Sequence, residues 1–163
     1  MIRGKAPDAS GVPALRTGAR EAAAERAVRA LYGPLSRGVP LAVRNGDGVH
    51  DLLGLEETGW LLDEFPRLGF WFDPTRAFRA FRAGSGPATA VWTERLARRV
   101  GGVFAHGLGS SLEGGSHPED VAPPWGTLAE VLPRGVPWVL DVSPSLAAGD
   151  VAEAVRYLGS LAR

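Results

Sequence analysis

Cysteine is absent from this chain of 163 residues. Its absence excludes disulfides, thiolate nucleophiles and thiolate metal ligands, and leaves the compartment open. An excess of either charge is lacking too: 18 basic side chains face 18 acidic ones, for a formal net charge of +0. That balance gives no support to a nucleic-acid or anionic-membrane partner. Lysine is nearly missing, with Lys5 alone against seventeen arginines. With the Ala and Gly richness, we read that bias as genome composition. No apolar run approaches the roughly 18 residues of a transmembrane helix, and Met1-Ile-Arg-Gly-Lys-Ala-Pro has no apolar stretch of the secretory type. The expectation is a soluble cytoplasmic protein. Short catalytic signatures are missing as well: there is no Walker loop, G-x-S-x-G, H-E-x-x-H or dinucleotide fingerprint. The turn Asn45-Gly-Asp-Gly48 lacks the spacing of a calcium loop and reads as a plain turn.

What the chain does have is enough apolar material for one real core, at 45% hydrophobic and 22% charged residues. Its centre is Gly69-Phe70-Trp71-Phe72-Asp73. Four apolar or glycine positions without polar alternation predict a strand buried on both faces, as in a helix-covered parallel sheet. Three other segments share the form of a short apolar run ending in a polar residue. They are Pro40-Leu-Ala-Val-Arg44-Asn45, Val100-Gly-Gly-Val-Phe-Ala-His106 and Pro137-Trp-Val-Leu-Asp141-Val142. Their spacing, roughly 30 to 36 residues, is about that of one strand-plus-helix unit.

Helical patterns alternate with these runs. One covers about residues 19–32, with Ala24, Val28, Leu31 and Leu35 on one side, and Gly33-Pro34 is expected to kink or end it. Others cover 55–65 (stripe Trp60, Leu61, Phe65), 88–98, 125–132 and 150–161 (stripe Val151, Val155, Leu158, Leu161). Residues 1–18, with Gly4, Pro7, Gly11, Pro13 and Gly18, read as an irregular arm or the remnant of a strand. Residues 19–163 read as one α/β domain of four βα units with a parallel sheet. The Gly-, Ser- and Pro-rich stretch 107–124 leaves a strand at its carboxyl end and reads as a functional or disordered loop, a candidate lid.

At this point a family comes into view. Leu41-Ala-Val-Arg-Asn45, Gly69-Phe-Trp-Phe-Asp73, Val103-Phe-Ala-His106 and Trp138-Val-Leu-Asp-Val-Ser-Pro144 resemble strands five to eight of the xylose-isomerase-like TIM barrels. That superfamily includes sugar-phosphate isomerases and epimerases. The resemblance covers about residues 19–162 and implies half of a (β/α)8 barrel. Four strands would leave sheet edges and an apolar face open, to be closed by a second copy or a second chain.

The resemblance also implies a divalent-metal site (Mn, Mg, Co or Zn) that this sequence largely lacks. Where the family has a Glu at the end of strand five, this chain has Arg44. Asp73 is kept, but the His three residues on is replaced by Arg76. The strand-seven ligand position falls on Phe104, with His106 two residues on as a substitute; the strand-eight Glu is matched by Asp141, one methylene shorter. In isomerases of this type the metal polarises the substrate and two acids move the proton. With Arg44 in the place of one acid, no metal cofactor is expected; if one binds, Asp73, His106 and Asp141 are the ligands.

Each candidate also has a plainer reading. Asp73 is a catalytic acid or pocket floor, or else the cap of the turn at Pro74. Asp141 is its catalytic partner, or a cap for Ser143-Pro144. His106 is a ligand or substrate contact, or a hydrogen-bonded strand-end histidine. His50 and His117 read as exposed turn residues. Arg76, Arg79 and Arg82 share a helix face that binds phosphate or simply meets solvent. Two functional expectations result. One is a sugar isomerase or epimerase acting on, or binding, a small sugar or polyol through Arg44, Arg76 and His106. The other is a non-catalytic half-barrel that binds a partner chain or a ligand. An ion pair between Arg44 and Asp73, at neighbouring strand ends, is expected under the second.

Overall fold

The computed structural model describes residues 26, 28–46, 54–106, 123–142 and 144–161, without the side chain of His106. The arm at 1–18, His50, most of the 107–124 stretch with His117, and Ser143 lie outside the described residues. Four strands form one parallel sheet: β1 Ala42–Arg44, β2 Gly69–Phe72, β3 Val100–His106 and β4 Trp138–Asp141. Their order across the sheet is β1-β2-β3-β4, the same as along the chain. The α/β class and the four strand-helix units agree with the expectation from sequence.

The helices are α1 (residues 28–36), α2 Leu55–Glu64, α3 Pro74–Arg82, α4 Thr89–Leu96, α5 Trp125–Val131 and α6 Ala148–Leu161. Crossovers of the usual right hand between strands that never reverse their order place α2, α3, α4 and α5 on the same face of the sheet. Burial follows from that. Phe70, Phe72, Val103 and Ala105 alternate onto the helix side and are at most 1% exposed. Trp92 of α4 stacks on both phenylalanines, with centroids 6.3 and 5.9 Å away. Burying such a side chain contributes roughly 1.5–3 kcal/mol, so this layer is the main source of cohesion. Leu35, Leu61, Leu62, Leu128 and Leu158 join the same core from α1, α2, α5 and α6.

The other face corrects the first expectation for β2. Its burial alternates rather than covering both faces, and Trp71 is only half-buried. An unbroken apolar run therefore has two different meanings here: the even positions are core, and Trp71 lines an open face.

Helical details refine the sequence reading, in which Gly33-Pro34 is expected to kink or end the first helix and Val155 belongs to the inner stripe of the last. α1 does not end at Gly33-Pro34 but continues to residue 36. Pro34 removes one hydrogen bond, and the burial of Leu35 one turn beyond Leu31 on the inner stripe outweighs that loss. The stop comes at Gly38, whose φ of 79° closes a left-handed cap. There Val39 N donates to Pro34 O at 3.0 Å and Gly38 N donates to Leu35 O at 3.0 Å. In α6 the inward residue is Ala154, fully buried, while Val155 is 55% exposed. The stripe is thus 151-154-158-161, and Val155 is turned about 100° from Ala154 around the helix. Phe81 of α3 also faces outward, and the small Ala77 and Ala80 face the core.

On the outside, α2 and α4 are tied by a bidentate pair between Glu56 and Arg95, and Arg99 Nη2 donates to Leu62 O at 2.9 Å. The hydrogen bond from Arg95 to Glu56 raises the guanidinium pKa above its ordinary value. Among the described residues no helix is long and apolar enough to cross a membrane.

Candidate functional site

Asp73 is the residue on which the carboxyl end of the sheet is built. It directly follows β2, and its backbone is extended, with φ −114° and ψ 92°. Pro74 then occupies the first turn of α3, where its missing N–H costs nothing. Asp73 Oδ1 accepts from Arg76 N at 3.0 Å, so Asp73 is the N-cap of α3. The plainer of its two sequence readings is therefore present in the structure.

The carboxylate does more than cap. Its Oδ2 lies 3.4 Å from Arg76 Nε and 3.7 Å from Arg44 Nη1. The Asp73 side chain is fully buried, whereas Arg44 and Arg76 are 33% and 29% exposed. The anion thus sits beneath two cations that roof it from solvent. The expected pairing of Arg44 with Asp73 is present, at the length of a charge pair rather than a hydrogen bond.

Asn45 holds the assembly from below. Sequence reading assigned it to a plain turn; it is instead fully buried and belongs to the site. Its Nδ2 donates to Asp73 O at 2.9 Å, and its Oδ1 accepts from Asp73 N at 2.7 Å. The side-chain amide imitates a strand peptide and extends the β1–β2 ladder by one step after β1 has ended. Both backbone groups of a buried residue are thereby satisfied. The partner lies 28 residues away, which is why no local pattern reveals it.

Beside the charges lies an aromatic surface. Register places Arg44, Trp71 and Gly102 side by side on the open face. Phe104 lies one step further along β3 on that face. Trp71 and Phe104 meet at 5.3 Å between centroids, tilted by 49°. Arg44 Cζ stands 4.7 Å from the Phe104 ring centre, within cation–π range. Gly102 is required for this arrangement. A Cβ there would stand 2.5 Å from Trp71 Cδ2 and Cε2, so only a glycine lets the indole lie flat on β3. Trp71 and Gly102 did not stand out as site residues in the sequence, because the reading placed Trp71 in a core.

The remaining candidates end the far strands. His106 and Asp141 are register partners on β3 and β4. Asp141 is exposed, and its strand is two places from β2, about 10 Å across the sheet. The structure therefore brings Arg44, Asp73 and Arg76 together and leaves Asp141 at the opposite edge. Arg79 and Arg82 lie outward on α3, in the last turn.

The described surroundings of Asp73 do not suit a divalent metal. Among the described residues no group of three or more His, Cys, Asp or Glu is placed to hold one. Asp73, where the resemblance expects a ligand, uses one oxygen for a helix cap and faces two guanidiniums with the other. A cation entering there would be repelled at two positions where the resemblance expects ligands. What the arrangement can do is bind: two fork-shaped donor groups border a half-open aromatic face. No family model matches the chain, and comparison with curated proteins finds no similar sequence.

Proposed function

We propose that this chain is the carboxyl-terminal half of a TIM barrel of the xylose-isomerase-like kind, and that it binds a small sugar or polyol without isomerising it. The half-barrel part is supported by the strand order. A sheet that adds each new strand on the same side, with helices on one face, is wound as barrels are; doubly wound sheets reverse their order. The open face carrying Trp71, Phe104 and Val139 corresponds to a barrel interior.

The observation that carries the binding reading is the state of Asp73. A general base must reach the proton it removes, and a ligand must point a lone pair at the metal. Asp73 is fully buried, caps α3 and is roofed by Arg44 and Arg76. A guanidinium in the place of an acid favours ground-state binding over proton transfer. Arg44 donates hydrogen bonds to hydroxyl or phosphate oxygens, while Trp71 offers an apolar surface to the carbon skeleton.

The test is a titration of intrinsic fluorescence with ribitol and with ribose 5-phosphate, keeping inorganic phosphate as control. At least one sugar probe should give a saturable change that Arg44→Ala removes while the fold is retained. Trp71→Phe identifies the reporting indole among the five tryptophans. Metal-stimulated interconversion of an aldose phosphate and its ketose would overturn the reading in favour of an isomerase.

A further inference from the structure

Among the described residues nothing pairs with the outer edges of β1 and β4, and these two edges are complementary rather than alike. The β1 edge ends in Arg44 and the β4 edge in Asp141, both at the carboxyl end. Large exposed apolar side chains also belong to the segments that precede β1 and that form or follow β4. Tyr32 (67% exposed) and Val39 (43%) precede β1, while Val139 (38%) and Val155 (55%) lie on β4 and on α6 behind it. Between the edges lies the open face with Trp71 and Phe104.

From these edges we infer that a second copy of this chain covers the open face, by closing an eight-stranded barrel about a two-fold axis parallel to the strands. The inference rests on the half-barrel reading above and supplies its partner. Strand number is the first argument. Eight tilted strands make a barrel whose interior side chains just fill, and two of these sheets provide eight. Direction is the second. A two-fold axis along the barrel keeps all strands parallel, so β4 of one copy continues into β1 of the other and no edge is left open. A face-to-face sandwich would bury the aromatic faces but leave four edges unpaired.

Charge is the third argument, and it selects the pairing. Two-fold symmetry makes each contact occur twice with its members exchanged. Asp141 of one copy then stands beside Arg44 of the other, at both seams. Outside each seam, α6 of one copy meets α1 of the other, and Val155 and Tyr32 lose their exposure there. The rim gains a carboxylate from across the seam, so each ligand site would hold Arg44, Asp73 and Arg76 from one copy and Asp141 from the other.

Sedimentation equilibrium at micromolar concentration should return twice the 17.2 kDa chain mass. Since the chain has no cysteine, the double variant Arg44→Cys/Asp141→Cys carries only those two thiols. Within one chain they are three strand spacings apart, about 14 Å, beyond the reach of a disulfide. Mild oxidation should therefore give a covalent dimer and no internal bridge. Asp141→Lys alters an exposed residue and should weaken dimerisation at least tenfold with the monomer still folded. A monomer at 17.2 kDa would overturn the inference. So would a dimer that neither cross-links nor responds to Asp141→Lys, since its faces would be stacked instead. The ligand reading fails on a different signal: a closed dimer unresponsive to both sugar probes keeps the closure and loses the ligand.

Discussion

Asn45 pairs with Asp73 through both halves of its side-chain amide, at 2.9 and 2.7 Å, one residue beyond the last residue of β1. A side chain thereby performs the work of a strand residue, and fixes the backbone from which the Asp73 carboxylate is presented.

Replacing Asn45 by Ala should thus be costly for so small a change. It strands the buried Asp73 N–H, worth roughly 1–3 kcal/mol, while Asp73 O keeps the hydrogen bond from Ala77 N at 3.1 Å. We expect urea denaturation to show a loss of about 1–3 kcal/mol with an unchanged m-value. A loss below about 1 kcal/mol would mean that water replaces the amide without penalty.

Asp73→Asn separates the cap from the charge. The amide oxygen still accepts from Arg76 N, but the anion facing Arg44 and Arg76 is gone. About 1–3 kcal/mol should be lost, the range for hydrogen bonds and pairs involving charged groups. Asp73→Ala should cost about 1 kcal/mol more, the usual worth of an N-cap. Equal destabilisation by the two variants, read from thermal or urea unfolding, would show that the ion pairs contribute nothing.

Gly102→Ala tests the aromatic surface. The new methyl group enters the Trp71 ring, which must tilt away from β3, at about 1–3 kcal/mol. Tryptophan emission should shift to longer wavelength as Trp71 gains solvent. Combining the change with Trp71→Leu should recover part of the loss, since the two positions are in contact and their effects should not add. Strict additivity would count against the close approach.

The charge pattern predicts how a metal site could be introduced. Wild-type protein purified without chelator should carry no stoichiometric manganese, cobalt or zinc. Arg44→Glu with Arg76→His substitutes two ligands for two cations, and calorimetry should show divalent-metal affinity rising at least tenfold. About one tightly held metal per wild-type chain, ligated by Asp73 or Asp141, would overturn the non-catalytic reading.

Much of this fold was legible because parallel strands announce themselves as apolar runs, and all four lie within a residue or two of where the runs end. The pairing of Arg44 with Asp73 was legible too, since neighbouring strand ends lie about 4.8 Å apart. Asn45 was not, because its role depends on a backbone 28 residues away. Nor was the continuation of α1 through Pro34, where the burial of Leu35 overrides a local penalty. Val155 and Ala154 exchanged roles because two neighbouring apolar positions fit one stripe almost equally well; packing against the sheet decides between them. Trp71 was misread because alternation is invisible when both faces of a strand carry aromatic side chains.

The unreversed strand order has a consequence for how the molecule is made. Every strand pairs with the strand next to it in sequence, so each pairing is reached through one crossover and none waits for a distant segment. The sheet can therefore lengthen one unit at a time as the chain emerges, each new strand landing on an edge already in place. A nascent chain that has reached β3 already contains the two pairings that carry Phe70, Phe72 and Asp73, before β4 exists to offer its edge to anything else.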